Sequence, residues 1–189
     1  MGVAGTSLTL RPSVPMGFVT GVPYVCALAL AHELGARVAW PHEVVTGAGD
    51  ELVSVEARAG YDDEGVFVRC DLTWEGEKNL DAAALERVAA EGVAAWEGAY
   101  AAGRGVAGPL ASVLGDYFDV LLGMGEKVEA LRGGRVIGRG TLAGVDVWGR
   151  ATVRLEDGAR ELEIAPEQAR LRAVRRRGDD GRPVAADPA

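Results

Sequence analysis

The stretch Arg37-Val-Ala-Trp-Pro-His-Glu-Val-Val45 joins a short apolar run to two polar residues that come directly after a proline. Pro41 has no backbone N–H and restricts Trp40 to an extended conformation, so we predict that a central strand, residues 37–40, ends here. That strand end presents His42 and Glu43 at the edge of a sheet, where ligands bind in open α/β folds. The alternative is that Trp40 only closes the core and the two polar residues are solvated.

Hydrophobic periodicity predicts the elements around this stretch. Residues alternate between apolar and polar in three further segments, which we interpret as strands 7–11, 51–59 and 66–72. Residues 61–65 between the last two strands are predicted to form a hairpin turn. Apolar residues recur at helical spacing in helices capped by Thr20 and Asp81 and in a third helix opened by Pro109. Val53 and Val55 share one face of the strand 51–59, and we expect them to floor a ligand site beside Trp40, His42 and Glu43.

The pattern changes at Lys127 to short strands separated by glycine turns. The predicted strands are 128–131, 136–142, 151–155 and 161–164, and the turns are Gly133-Gly134, Trp148-Gly149 and Asp157-Gly158. This pattern is typical of a small β-barrel. We therefore predict three segments: an α/β domain in residues 1–124, a barrel in residues 125–174 and a disordered tail in residues 175–189.

Charge and composition exclude several classes of protein. A formal charge of −8 argues against nucleic-acid binding, which needs a basic surface. The N-terminus lacks a signal pattern and no long apolar stretch is free of charge or proline, so we expect no membrane association and a cytoplasmic location. Cys26 and Cys70 lie in apolar segments without metal-ligand spacing, and we predict buried thiols and no metal site.

The two parts of the chain carry opposite charge. Residues 1–126 hold 7 basic and 18 acidic side chains, whereas residues 127–177 hold 12 basic and 7 acidic ones. This asymmetry indicates either that the two modules dock on each other or that the basic module meets an anionic ligand or an acidic partner.

Several motifs resemble those of biotin protein ligases. Trp40-Pro41-His42-Glu43 is similar to the Trp-Pro-Asn-Asp motif of that family and follows an Ala/Leu-rich helix, as it does there. Gly140-Thr-Leu-Ala-Gly-Val-Asp146 and Leu155-Glu-Asp-Gly158 resemble its C-terminal SH3-like domain. The resemblance implies an α+β fold, in which a class II synthetase-like mixed sheet with helices is followed by a small SH3-like β-barrel.

The resemblance also implies an activity, and the chain departs from the motifs that carry it. Such ligases condense biotin, or lipoate in related enzymes, with ATP and then acylate a lysine of a carrier protein. Their Gly-Arg-Gly-Arg-Arg-Gly loop precedes the first strand predicted here, where this chain has six residues, so we expect an incomplete catalytic domain. Their lysine about ten residues after the tryptophan is replaced by Asp50 and Glu51.

These departures lead us to assign no catalytic residue and leave three functions open. The first, which we favour, is a biotin or lipoate ligase-like pseudoenzyme that binds a ligand without autonomous catalysis. The second is one subunit of a two-chain ligase whose complementary subunit supplies the missing loop and lysine. The third is an interaction module that forms a homodimer or binds a partner through a sheet edge. Biotin or lipoate and ATP are implied only by the resemblance.

Overall fold

Two antiparallel sheets and three α-helices make up the fold in the computed structural model, which describes residues 2–174. The predicted α+β class is confirmed. The chain divides into one compact unit formed by residues 2–122 with 146–149 and a second formed by residues 123–145 with 150–174. The predicted domain boundary at residues 124/125 stays a prediction, and the predicted tail, residues 175–189, lies outside the described residues.

The sheet of the first unit has the order β1-β5-β4-β3-β2. Its strands are β1 (Val3–Leu10), β2 (Arg37–Ala39), β3 (Glu43–Val45), β4 (Glu51–Asp62) and β5 (Gly65–Glu75). Every ladder between these strands is antiparallel. An isolated bridge between Val38 and Leu121 is parallel. The sheet is therefore mixed only through this bridge.

The prediction that residues 37–40 form the central strand is wrong about its position. β2 has three residues, pairs with β3 and lies at the edge of the sheet. β4 occupies the middle because it belongs to a long hairpin with β5, and 12- and 11-residue strands form a far longer ladder than β2 can. The hairpin turn itself was predicted, and Gly65 takes the positive φ of 107° that it needs.

Three helices accompany the sheet: α1 (Val22–Glu33), α2 (Ala82–Ala101) and α3 (Leu114–Val120). The cap predicted at Asp81 is confirmed, since its carboxylate accepts hydrogen bonds from the backbone N–H groups of Ala83 and Ala84 at 3.0 and 3.3 Å. The cap predicted at Thr20 is wrong. Thr20 lies inside a short 3-10 segment and its hydroxyl donates to the carbonyl of Gly17, so α1 starts after Gly21.

The third helix starts later than predicted, because Pro109 is held by other partners. The indole Nε1 of Trp96 donates to the Pro109 carbonyl at 2.8 Å, and the Leu110 N–H donates to the Val147 carbonyl at 2.9 Å. These bonds tie residues 109–110 to α2 and to the 146–149 segment, and α3 begins only at Leu114.

Helix α1 forms the centre of the first unit's core. Nine of its residues, from Val22 to Ala31, are buried. Residues Met16–Glu33 are apolar and long enough to cross a membrane by length and composition, but over half of this stretch is buried inside the unit, as in the core helix of a soluble protein. Cys26 on α1 and Cys70 on β5 are both free and buried, as predicted.

The second unit is an all-β structure with the strand order β10-β6-β7-β8-β9. Its strands are β6 (Lys127–Arg132), β7 (Arg135–Val145), β8 (Ala151–Leu155), β9 (Glu161–Ile164) and β10 (Arg170–Ala173). The four predicted strands are confirmed, and residues 128–155, all of them described, contain no helix. β10 was not predicted, because its four residues next to an arginine run show too little alternation between apolar and polar side chains.

Candidate functional site

Trp40, the centre of the predicted site, is a buried residue. Its side chain is 5% exposed, and its indole Nε1 donates a hydrogen bond to the Gly149 carbonyl at 2.9 Å. The following Trp40–Pro41 peptide bond is cis. The indole thus fills the core, which is the alternative that the sequence left open, and its polar edge is satisfied by backbone from a segment 109 residues away.

Tyr24 shares the same acceptor. Its hydroxyl, on the first turn of α1, donates to the Gly149 carbonyl at 2.8 Å. Gly149 has a φ of 82°, and a Cβ at this position would lie 2.5 Å from the Tyr24 hydroxyl oxygen. Only glycine fits both the backbone conformation and the close approach of the tyrosine. The sequence predicts a turn here but carries no sign that the turn meets α1.

A second tyrosine holds the residue after Trp40. The Tyr117 hydroxyl on α3 donates to the Pro41 carbonyl at 2.7 Å, and its ring centroid lies 5.7 Å from that of Tyr24 in an edge-to-face arrangement. Burial raises the pKa of Tyr117 well above its ordinary value, so the hydroxyl remains a donor. Tyr117 therefore holds the Trp-Pro turn at the Pro41 carbonyl, and Trp40 shares the Gly149 carbonyl with Tyr24.

His42 presents an unsatisfied polar atom beside this aromatic cluster. Its ring lies edge-to-face against Tyr24 with centroids 5.5 Å apart, and its Nδ1 atom is buried without a hydrogen-bond partner among the described residues. Burial lowers its pKa from 6.5 to about 4, although contact with the Val55 backbone opposes the shift. At neutral pH the imidazole is uncharged and retains the capacity for one further hydrogen bond.

The remaining predicted residues take different positions. Glu43 is partly buried at the start of β3. Val53 and Val55 lie on β4 with exposures of 0% and 1%, so both side chains belong to the core. The predicted role of these residues in binding a ligand stays a prediction. Tyr24, Tyr117 and Gly149 were missed because their relation to Trp40 depends on tertiary contacts that no local pattern encodes.

The acidic residues Asp50 and Glu51 lie at the start of β4, with Asp50 directly before its first residue. Asp50 is exposed and closes a loop in which its N–H bonds to the Thr46 hydroxyl at 3.1 Å. The Glu51 carbonyl accepts a hydrogen bond from the Lys78 ammonium, which also lies 3.4 Å from Glu75. Lys127, the other lysine of the chain, lies 3.5 Å from Glu156 in the second unit. Each lysine thus has a carboxylate neighbour.

The polar side chains near Trp40 and His42 do not favour binding of a metal ion. Among residues 2–174, no group of three or more His, Cys, Asp or Glu side chains is placed to hold an ion. The polar centre of this region is a neutral imidazole beside tyrosine hydroxyls that already donate to backbone carbonyls. Such a set suits hydrogen bonding to an uncharged group of a ligand better than coordination of a cation.

Comparison with known proteins identifies the fold. No protein family and no curated protein matches the chain by sequence. Among solved structures, a biotin protein ligase from Aquifex aeolicus matches with a TM-score of 0.66 and 17% identity, covering 92% of this chain and 83% of that one. The same ligase in complex with biotin and ATP matches with a TM-score of 0.63 and 16% identity, covering 92% and 79%. The chain therefore has the fold of a biotin protein ligase, as its motifs predicted.

Proposed function

We propose that the protein is a biotin ligase-like pseudoenzyme that binds an acyl ligand and does not form an adenylate on its own. The observation that carries this proposal is the pair Asp50 and Glu51 at the position where the resembling ligases have a lysine. A cation at this position stabilises the phosphate charge that develops during adenylation, and losing one such donor costs about 3 kcal/mol. Two carboxylates add repulsion to that loss.

The surroundings of the acidic pair support the proposal. Lys78 is the lysine nearest in sequence, and its ammonium is engaged by the Glu51 carbonyl and the Glu75 carboxylate. Releasing it toward a phosphate requires breaking both contacts. The unsatisfied Nδ1 of His42, by contrast, fits a ligand that offers an uncharged hydrogen-bonding group, as the ureido ring of biotin does. The residues thus favour an acyl ligand over a triphosphate.

The first experiment separates binding from catalysis. Purified protein is assayed for biotin-dependent exchange of pyrophosphate into ATP, and for thermal shifts with biotin, lipoate, octanoate and ATP. We expect exchange below about one turnover per minute, far under the usual enzymatic range, together with a raised melting temperature for one acyl ligand. Exchange above that rate overturns the pseudoenzyme proposal, and the absence of every thermal shift overturns the binding proposal.

A second experiment locates the binding site. Calorimetry with the acyl ligand that gives the shift is performed on His42→Asn and Glu43→Gln, with Arg150→Ala in the second unit as the control. If the site lies beside Trp40, the first two variants weaken binding about tenfold, corresponding to one lost hydrogen bond, and the control binds normally. Loss of binding in the control alone would move the site to the second unit.

Localisation and partners belong to the same proposal. We propose that the protein acts in the cytoplasm, and that it forms a homodimer or joins a complementary ligase subunit or a carrier protein. Strand β1 supports a partner of this kind, because it pairs with β5 on one side and with no described strand on the other. Light scattering of the pure protein distinguishes a homodimer from a monomer that awaits a different partner.

A further inference from the structure

The second unit carries an apolar surface surrounded by arginines, which we call the arginine-rimmed patch. It lies across three neighbouring strands, where Arg170 on β10, Leu131 on β6 and Val136 on β7 stand opposite one another in register. The patch consists of Leu131, Val136 and Ile137 with Arg135, Arg139 and Arg170. No activity discussed above uses it.

A β-bulge brings two apolar side chains to the surface of this patch. The pairing of β6 with β7 shifts between Ala130 and Leu131, and it leaves Ile137 as an extra residue without a partner. Val136 and Ile137 are consecutive, yet each is 41% exposed, whereas a regular strand would direct one of them inward. Adjacent exposed aliphatic side chains with a polar rim are typical of a binding surface.

The charge around these side chains is strongly positive. Strands β6 and β10 and residues 135–139 carry six basic side chains and one acidic side chain, Glu129. A second carboxylate, Glu167, lines the same cavity as Leu131 and Arg170. Glu129 is already shared, since it accepts hydrogen bonds from Arg172 and Arg139, and these two guanidinium groups lower its pKa. Arg135 and Arg170 form no ion pair within residues 2–174.

The arginines on β8 and in the turn that follows it differ from those of the patch, because they have carboxylate partners. Arg154 lies 3.4 Å from Glu161, and Arg160 lies 2.6 Å from Asp157. Charges without carboxylate partners are thus concentrated at the arginine-rimmed patch. Because its centre is apolar, the patch is complementary to a surface that offers both carboxylates and apolar side chains.

The backbone of the patch also offers hydrogen bonds. β7 pairs with β6 from residue 135 onward, but its pairing with β8 reaches only from Val145 to Gly140. Residues 135–138 therefore have one edge without a strand partner among the described residues. An extended peptide can add to such an edge, with main-chain hydrogen bonds giving affinity and alternate side chains giving specificity.

We propose that the arginine-rimmed patch binds an acidic, extended segment of a partner protein, in which carboxylates alternate with apolar side chains. A carboxylate of that segment pairs with Arg135, and its apolar side chains cover Val136 and Ile137. Arg170 lies on β10, beyond β6, and adds attraction at longer range. A protein segment is favoured over nucleic acid or a membrane because neither of these supplies backbone groups for the free edge.

Fluorescence anisotropy with two labelled peptides tests this proposal. The first probe, of about twelve residues, alternates Glu and Val, and the second has Ser in place of each Val. We expect the Glu–Val peptide to bind and the Glu–Ser peptide to bind about tenfold more weakly. Ile137→Ser and Arg135→Glu each weaken the Glu–Val peptide about tenfold, and Arg170→Glu weakens it about threefold. Arg154→Glu, an equal charge change on β8, alters binding less than about twofold.

Several results would overturn the proposal. Equal loss in Arg154→Glu would show that net charge alone attracts the peptide, and equal binding of the Glu–Ser peptide would show that the apolar centre is not used. Failure of the Glu–Val peptide to bind the wild type would also refute it, as would binding of phosphatidylserine vesicles that Ile137→Ser abolishes. The substituted side chains are exposed, and matching circular dichroism confirms that each variant is folded.

Discussion

At the scale of single residues, His42 is the side chain whose structural environment differs most from the one that the sequence predicts. The sequence offered a polar turn residue, solvated or ligand-binding, and the structure gives a partly buried imidazole whose Nδ1 has no partner among the described residues. The turn position was predictable from Pro41. The burial was not, because it depends on Tyr24, which approaches from α1.

The pKa of His42 leads to a prediction about stability and pH. Its pKa is lowered from 6.5 to about 4 in the folded state, so the unfolded chain binds more protons between these values. This contribution to stability is complete above pH 6.5 and is lost as the pH falls toward 4. We expect wild type to lose up to about 3 kcal/mol more than His42→Asn over this range, because asparagine does not titrate.

Urea denaturation of both proteins at intervals of pH measures this difference. The comparison cancels the titration of the carboxylates, which both proteins share. Parallel stability curves for wild type and His42→Asn between pH 7 and pH 4 would mean that the imidazole becomes protonated in the folded state without cost, and that the site is open to water.

At the scale of elements, the turn at residues 146–149 is held against α1 by contacts that only glycine permits. Gly149→Ala must adopt a positive φ and place its Cβ against the Tyr24 hydroxyl. We expect a loss of about 3 kcal/mol in the free energy of unfolding, from backbone strain and from the broken hydrogen bond. Gly35→Ala is the matched control, since Gly35 has a φ of 58° and no atom lies within 4 Å of the position that an added methyl group would occupy.

The control should lose only about 1 kcal/mol, which is the cost of the left-handed backbone alone. Guanidinium denaturation of the two variants gives the difference. Equal losses would show that Tyr24 moves aside at no cost, and a smaller loss for Gly149→Ala would show that the contact between the turn and α1 contributes nothing to stability.

The elements also show what the sequence could predict. The cap at Asp81, the hairpin turn at Gly65 and four of the five strands of the second unit follow from interactions within a few residues, and these predictions are confirmed. The edge position of β2 and the bond from Tyr24 to Gly149 join segments far apart in the chain, the latter across 125 residues. Periodicity and turn chemistry carry no information about such distant pairs.

At the scale of the whole molecule, the surplus of acidic groups in the first 126 residues should make stability depend on salt. Eighteen acidic and seven basic side chains repel one another on balance, and salt screens this repulsion. We expect the melting temperature to rise by about 3 °C between about 50 mM and about 500 mM NaCl. Calorimetry or fluorescence melting curves at constant pH measure the rise.

A variant with fewer exposed acids provides the control for this prediction. Glu33, Asp63 and Glu77 are exposed and form no ion pair with another described residue, so Glu33→Gln, Asp63→Asn and Glu77→Gln together remove repulsion without breaking a bridge. The triple variant should have the higher melting temperature at low salt and the smaller dependence on salt. A melting temperature that falls with salt would show instead that the ion pairs of the surface dominate.

The buried thiols on α1 and β5 allow the opening of the core to be measured without attaching a probe to the protein beforehand. Cys26 and Cys70 are both 0% exposed, and the hydrogen bond with Cys70, together with burial, raises the pKa of Cys26. Neither thiol can react until the helix separates from the sheet. The rate at which an excess of alkylating reagent modifies the two thiols therefore measures how often helix α1 separates from the sheet.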